Sequence, residues 1–455
     1  PVPTIYYNQG DFYGYSDGKV HLLGSQIIAD NLYLVAKKGI TLEAATFHQE
    51  QIVSISDEGV RTGFSSGGGK HSVNAEFFSE QSKEHFKKTF YDPSALIARN
   101  NLALETPEYI EIISSKLGFT NADIKARGLH MHTRSNIMEY TSESSKISAG
   151  LHFGVQENIT PTIQKVGQVL NKTGTHWLDI LDRALNGYEA INGIKDIYQD
   201  IEQLTKLDPK DPTSNQSILD NLKSVQYGIW AEAKASKTTT HNYQTQAIDN
   251  ELTGGNLNIN IAQNAIIEGI KCNVDNFTLK AENLKVIASH DTRTQETYAS
   301  NIDISVPIAG SVGSNIGVGF KKSESNSVSY HHDNIINVAG KLEMHIAKNG
   351  EIKGVQFFAN NVDIKAGNLI IESLQDTLKE RMQGMDLSFG ISSQNKQSFG
   401  VKGEMQQRDK AWTQAIGSII GREVVNVAVQ QTLEIAGGLI ANADMDSDCN
   451  VTDKG

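Results

Sequence analysis

Four stretches of this 455-residue chain carry side chains whose types and spacing could do chemistry. "LHMHT" sets His130 and His132 two residues apart, so on a strand both imidazoles share a face and could hold zinc. No third ligand stands near them in sequence. Pairing "NADIKARGLHMHT" with "NVDIKAGNLIIES" puts Leu129 and Met131 on the inward positions of Leu369 and Ile371, so the histidines should point outward. "GFSSGGGKHS" resembles a phosphate loop, whose backbone N–H groups and lysine cradle phosphates. Here Gly63 and Gly69 are six apart rather than five, and His71 stands where Ser or Thr belongs, so a hairpin tip is expected. "DMDSDCN" gives Asp444, Asp446, Asp448 and Asn450 the spacing of a calcium loop. Cys449 occupies the position that needs Gly, and Gly455 the one that needs Glu, so a solvated corner is expected. "YHHD", Tyr330 to Asp333, reads as a satisfied polar surface in a linker. No Ser/His/Asp or Cys/His set stands out. The expectation is no catalytic, cofactor-binding or metal-binding residues, and no cofactor.

The elements that must position these residues follow from an internal repeat. Gly255–Thr292 aligns with Gly340–Thr377 without a gap, and 14 of 38 positions are identical. The core of the unit occurs four times, as "NLYLVA" at Asn31, "NADIKA" at Asn121, "NFTLKA" at Asn276 and "NVDIKA" at Asn361. Gly24, Gly269 or Gly354 precedes the Asn by seven residues, and Ser114 takes that place in the second unit. A weaker fifth unit starts at Glu423. Within each unit apolar residues alternate with polar ones, the period of a strand with one buried face. Strands of five or six residues, punctuated by Asn or Gly at a beat of 20 residues, predict an all-β right-handed parallel β-helix. Coils should stack at about 4.8 Å with Asn ladders at their corners. A twisted antiparallel sandwich is the competing fold. The rod should run through residues 253–292, 335–377 and 420–442, with Ile259, Ile267, Leu279, Leu284, Met344, Ile352, Ile364 and Leu369 inward.

Segments 295–335, 378–410 and 143–157 with 223–240 are too long for the coil path, yet they alternate regularly. They are expected to project as β-hairpins, each with one apolar face to bury on the rod, on a neighbouring hairpin or on a membrane; away from a membrane the first two are expected, as an auxiliary sheet beside the rod. From about Thr160 to Leu222 the period turns helical, through Leu178, Leu181, Leu185, Tyr188 and Ile191. The domain reading is therefore coils with hairpin insertions over 1–157, an α-helical hairpin insertion over 158–223, and coils with two hairpins over 224–455.

Composition fits a slim solenoid, with 38% hydrophobic and 7% aromatic residues and 39 Gly. The net charge of −12 argues against nucleic acid or an anionic membrane surface as the main partner. Cys272 and Cys449 are too few for a disulfide framework and are expected to be ordinary residues. The opening "PVPTIYYNQG" has no charged and apolar leader pattern, and the ending is polar, so the chain is expected to be part of something longer.

"GSQIIADNLYLVAKKGITLEAA", "EGIKCNVDNFTLKAENLKVIASHDT", "KGVQFFANNVDIKAGNLIIESLQDT" and "DKAWTQAIGSIIGREVVNVAVQQTLEIAGGLIAN" resemble the haemagglutinin repeats of filamentous-haemagglutinin-type exoproteins. That family comprises adhesins and contact-dependent inhibition effectors of bacterial two-partner secretion, and the resemblance covers nearly the whole chain. It implies export through a dedicated outer-membrane transporter, a monomeric filament secreted to the Gram-negative cell surface, and a target-cell surface or membrane as partner. The implied role is a stalk in adhesion or toxin delivery, without enzymatic activity. The competing readings are a β-helical carbohydrate-active enzyme resembling a polysaccharide lyase, or a carbohydrate-binding adhesin using Phe47, Phe357 and Phe358 as exposed aromatics.

Overall fold

The computed structural model describes residues 4–67, 70–157, 225–310, 314–391, 397–445 and 451–453. The α-helical insertion expected over 158–223 lies outside the described residues, as do Gly69, residues 446–450 and Gly455.

Parallel strands stack one residue on one. Gln26–Ala36 pairs with Ala95–Glu105, which pairs with Lys116–Ala126, and that strand pairs with Asn250–Ile261. The ladder continues through Ile270–Ala281, Asn334–Lys353, Val355–Glu372 and Ser418–Val429. The register makes one continuous row of Leu32, Leu102, Ala122, Leu257, Phe277, Leu342, Val362 and Val425 along the inside. The alternation read from sequence therefore becomes a stack of apolar rungs, each removing its side chains from water. All eight residues expected inward are buried, none more than 2% exposed. The fold is a parallel β-helix; the sandwich is excluded by the parallel ladders.

Coil corners are set by backbone chemistry. Gly24, Ser114, Gly269, Gly354 and Gly437 all have φ between 47° and 64°. At Gly269 a Cβ would lie 2.2 Å from Thr133 Cγ2, so both conformation and space demand glycine. Ser114 tolerates the same conformation because its hydroxyl donates to the Ile248 carbonyl (2.8 Å) and accepts from the Arg134 N–H (2.6 Å). The expected ladders are present. The Nδ2 of Asn31 donates to Asp11, Asn101 to Asn31, Asn121 to Asn101, Asn256 to Asn121 and Asn276 to Asn256. A second ladder joins Asn264, Asn283, Asn349 and Asn368.

Coils come in pairs, and each pair is followed by a hairpin. Coils 5–23 and 26–43 precede the hairpin Ala45–Gly67/Lys70–Asp92. Coils 95–113 and 116–132 precede Arg134–Glu157/Val225–Ile248. Coils 250–268 and 270–287 precede His290–Gly310/Ser314–His331, and coils 334–353 and 355–372 precede Leu374–Ile391/Gln397–Ala415. Two coils advance the rod by about 9.6 Å, the same as two antiparallel strands. The hairpins therefore meet edge to edge and form one eight-stranded antiparallel sheet beside the rod. This corrects the expected boundaries. Residues 290–292 and 374–377 belong to the hairpin sheet rather than to the rod, because their backbone bonds go to neighbouring hairpin strands. It also adds a hairpin over 45–92, of which only the tip was expected.

Candidate functional site

The hairpin sheet has two chemically different faces and an ordered base. At the base, the outgoing strand of one hairpin caps the returning strand of the hairpin before it. Asn136 Oδ1 accepts from the Tyr91 N–H (3.0 Å), Asp291 Oδ1 from Ala247 N–H (2.6 Å) and Asp376 Oδ1 from His331 N–H (2.8 Å). Three residues after each capped N–H comes a buried polar residue, Ser94, Asn250 or Asn334, that bonds coil backbone. Asn250, for example, accepts from Ser115 N–H (3.0 Å) and donates to the His132 carbonyl (2.9 Å). These groups satisfy backbone that the chain leaves unpaired where it departs from the coil path.

Around one of these junctions lies an ionic cluster. His332 Nδ1 is 3.2 Å from Asp249 Oδ2, and its Nε2 is 2.9 Å from Asp291 Oδ2. Asp249 also accepts from the Ser289 hydroxyl and lies 3.4 Å from Lys271 Nζ. The hydrogen bonds to Asp249 and Asp291 push the His332 imidazole up to about 9. Burial pushes Asp249 upward, but hydrogen bonds from His332 and Ser289 outweigh it and hold its carboxyl below the ordinary value. The expectation of a polar surface at "YHHD" is thus corrected: His331 and His332 are only 18% and 19% exposed and pair with buried carboxylates. Sequence reasoning missed it because Asp249 and Asp376 belong to the junctions of the hairpins before and after, and Asp291 to the opposite strand of the same hairpin, 41 residues away. A signal was present, since Asp291 and Asp376 are the same position of the 85-residue repeat. At the second of these, Asp376 is fully buried and its Oδ2 has no hydrogen-bond partner.

Beyond the base, one face of the sheet is apolar. A single row runs Val60, Phe77, Ala149, Ala233, Ile304, Phe389 and Phe399 across the sheet. The next row towards the rod carries Glu58 and Ser79 on its first two strands and is apolar from there on, through Ile147, Ala235, Ile302, Leu387 and Val401. Phe77 is 70% exposed, Ile147 61% and Phe399 73%. The expectation that each hairpin buries its apolar face on the rod or its neighbour is therefore corrected: neighbours join through their edges, and this face stays open. The opposite face carries Ser148, Lys234, Asp303, Gly317, Ser388 and Gly400 at the intervening register. Ion pairs knit that face, among them Lys146–Glu80 (3.1 Å), Arg61–Glu80 (2.9 Å) and Lys234–Glu232 (2.9 Å).

The other sequence candidates are not brought together. Leu129 and Met131 are fully buried, which turns His130 and His132 outward. Their ring centroids are 5.7 Å apart, and burial followed by the neighbouring His132 lowers the His130 imidazole below its ordinary value. Among the described residues no cluster of His, Cys, Asp or Glu has metal-binding geometry. Gly63 lies in the outgoing strand of the first hairpin, near its tip. Cys272 is a core residue whose thiol burial pushes up to about 12, so it is not a nucleophile. Phe357 and Phe358 are buried, 1% and 8% exposed, and Phe47 stacks on Phe90 at 5.2 Å, so the expected exposed aromatic set does not exist.

A family model described as hemagglutinin repeat matches residues 11–156 and 231–386. The chain belongs to the hemagglutinin-repeat family. In this chain the matched regions span most of four coil pairs and of the hairpins that leave them. Comparison of the hemagglutinin-repeat chain with curated proteins and with solved structures gives no match. Membership supports a structural, adhesin-type exoprotein segment.

Proposed function

We propose that this hemagglutinin-repeat chain is a stalk segment of a secreted filamentous exoprotein on a Gram-negative cell surface. It reaches the surface through an outer-membrane two-partner-secretion transporter and acts in adhesion or contact-dependent toxin delivery to neighbouring cells. The rod supplies length and stiffness, and the hairpin sheet supplies contact with the target membrane. One observation carries this reading: an apolar row running across the antiparallel sheet, with Phe77 and Phe399 open to solvent, opposite a polar and glycine-rich face. That alternation is what a strand needs to meet lipid on one side and water on the other. Ile147 to Glu157 in one strand spans about 33 Å, close to what crosses a bilayer core. Among the described residues no helix is long and apolar enough to cross a membrane. The test is flotation of the chain with liposomes, alone and with Phe77, Ile147 and Phe389 replaced by Asn. Loss of binding on replacement is expected, whereas a wild-type chain that ignores every liposome would refute the membrane contact.

A further inference from the structure

A groove of about 560 Å³ crosses the same face of the hairpin sheet, directly on the rod side of the apolar rows. Ser54, Ser56, Gln81, Lys83, Ser145 and Lys237 line it, together with Glu143. The register explains the assembly. Lys83 stands opposite Ser54 on one side and Glu143 on the other, while Ser145 stands opposite both Gln81 and Lys237. Three separate strand pairings therefore converge hydroxyls, an amide, two ammonium groups and one carboxylate on one depression. Lys83 and Glu143 are direct cross-strand neighbours, yet they do not close into an ion pair, and among the described residues Lys237 has no ion-pair partner either. Elsewhere on the sheet opposite charges do pair, as Lys146 with Glu80 and Lys234 with Glu232. In the groove these charges stay apart and face the depression.

We infer that the groove binds the phosphoethanolamine headgroup of a phospholipid whose acyl chains lie on the adjoining apolar rows. Lys83 and Lys237 supply N–H donors and positive charge to the phosphate, with the serine hydroxyls and Gln81 filling its remaining acceptor sites. Glu143 accepts from the primary ammonium. One row towards the strand tips, the surface is hydrocarbon at Ile147, Ala235 and Ile302, while on the two outer strands Ser79 donates to Glu58 (3.2 Å). Charge complementarity selects this occupant. Two cations and one anion match a phosphate with an ammonium beside it, whereas a purely anionic headgroup leaves Glu143 opposed. A choline headgroup cannot donate a hydrogen bond to Glu143. A zwitterionic ligand also agrees with the net charge of −12, which disfavours an extended anionic surface. The inference rests on the reading that this face meets a membrane.

Flotation with phosphatidylcholine liposomes, with and without phosphatidylethanolamine, tests it, together with competition by soluble phosphoethanolamine. Wild-type chain should prefer the ethanolamine liposomes roughly ten-fold, the strength of one hydrogen bond to a charged group. Glu143→Gln should abolish that preference while retaining binding. Lys83→Gln with Lys237→Gln should weaken binding to both liposomes by roughly a hundred-fold, the strength of two hydrogen bonds to a charged group. Thermal melts check that these exposed substitutions leave the fold intact. An ethanolamine preference that survives Glu143→Gln, or unchanged binding by the double lysine variant, overturns the headgroup site and leaves the membrane reading standing. Absence of binding to any liposome sinks both. Soluble phosphoethanolamine that binds when no liposome does would assign the groove to a free phosphate ester and overturn the lipid.

Discussion

At the residue scale, the junction carboxylates decide how firmly the hairpins are held to one another. Asp376 and Asp291 perform the same backbone capping as Asn136, and only the Oδ1 of Asp376 has hydrogen-bond partners. Asp376→Asn should therefore be nearly neutral, because the amide oxygen still accepts from His331 N–H. Asp376→Ala leaves that buried N–H unsatisfied and should cost about 1–3 kcal/mol in denaturant unfolding. A larger loss for Asn than for Ala would refute the capping role. His332 adds a pH dependence. Its folded pKa, about 9, is raised above the ordinary 6.5, so its stabilisation is complete below 6.5 and is lost as pH rises through 9. Asp249, held below its ordinary value, contributes above that value and loses the contribution as pH falls further. The difference in melting temperature between wild type and His332→Gln should be largest from about pH 4 to 6.5 and shrink towards pH 9. A difference that grows with pH would contradict this assignment.

At the element scale, coils and hairpins share one spacing, and that match was not legible in the sequence. The rod was legible, because alternation at Leu257, Ile259 and Ile261 and the Asn corner of each unit are local signals. The hairpins were legible as hairpins, and a sheet beside the rod followed from their apolar faces. Its edge-to-edge form was not legible, because that depends on two strands and two coils having equal rise, which no single segment records. The junction cluster was hidden for a related reason: His332 meets Asp249 and Asp291 across gaps of 83 and 41 residues. Shared spacing predicts how the molecule responds to a deletion. Replacing 293–328 by a short turn keeps both flanking coil pairs, so the rod should still fold. The sheet then loses two adjacent strands and gains two long unprotected edges, at Val225–Ile248 and Leu374–Ile391. Limited proteolysis should cut these strands in the deletion variant while the coil pairs persist as resistant fragments. Equal resistance in variant and wild type would show that the hairpins stand independently of one another.

At the scale of the whole molecule, rod and sheet differ in what a substitution costs. The rod core has no water-facing alternative. Leu369→Asp would put an unpaired charge between stacked coils and should cost several kcal/mol, enough to abolish the cooperative melt. On the sheet the apolar rows already face solvent, so Phe389→Asp, at a residue 38% exposed, should change stability by less than about 1 kcal/mol. Its effect belongs to the membrane encounter instead. A charge in the middle of the apolar rows should abolish liposome flotation, because in lipid that position costs more than it does in water. Strand number then limits what the bound state can do. The eight strands here, if closed through their outer edges Ala45–Gly67 and Gln397–Ala415, would enclose a lumen that side chains fill. Lys234, Asp303 and their neighbours on the polar face would occupy it, leaving no aqueous channel. This chain by itself should therefore bind liposomes without releasing an encapsulated fluorescent dextran, acting as an anchor; a conduit would need strands from beyond these hairpins. Dextran release by this chain, removed by Phe389→Asp, would show that the sheet opens wider than eight strands allow.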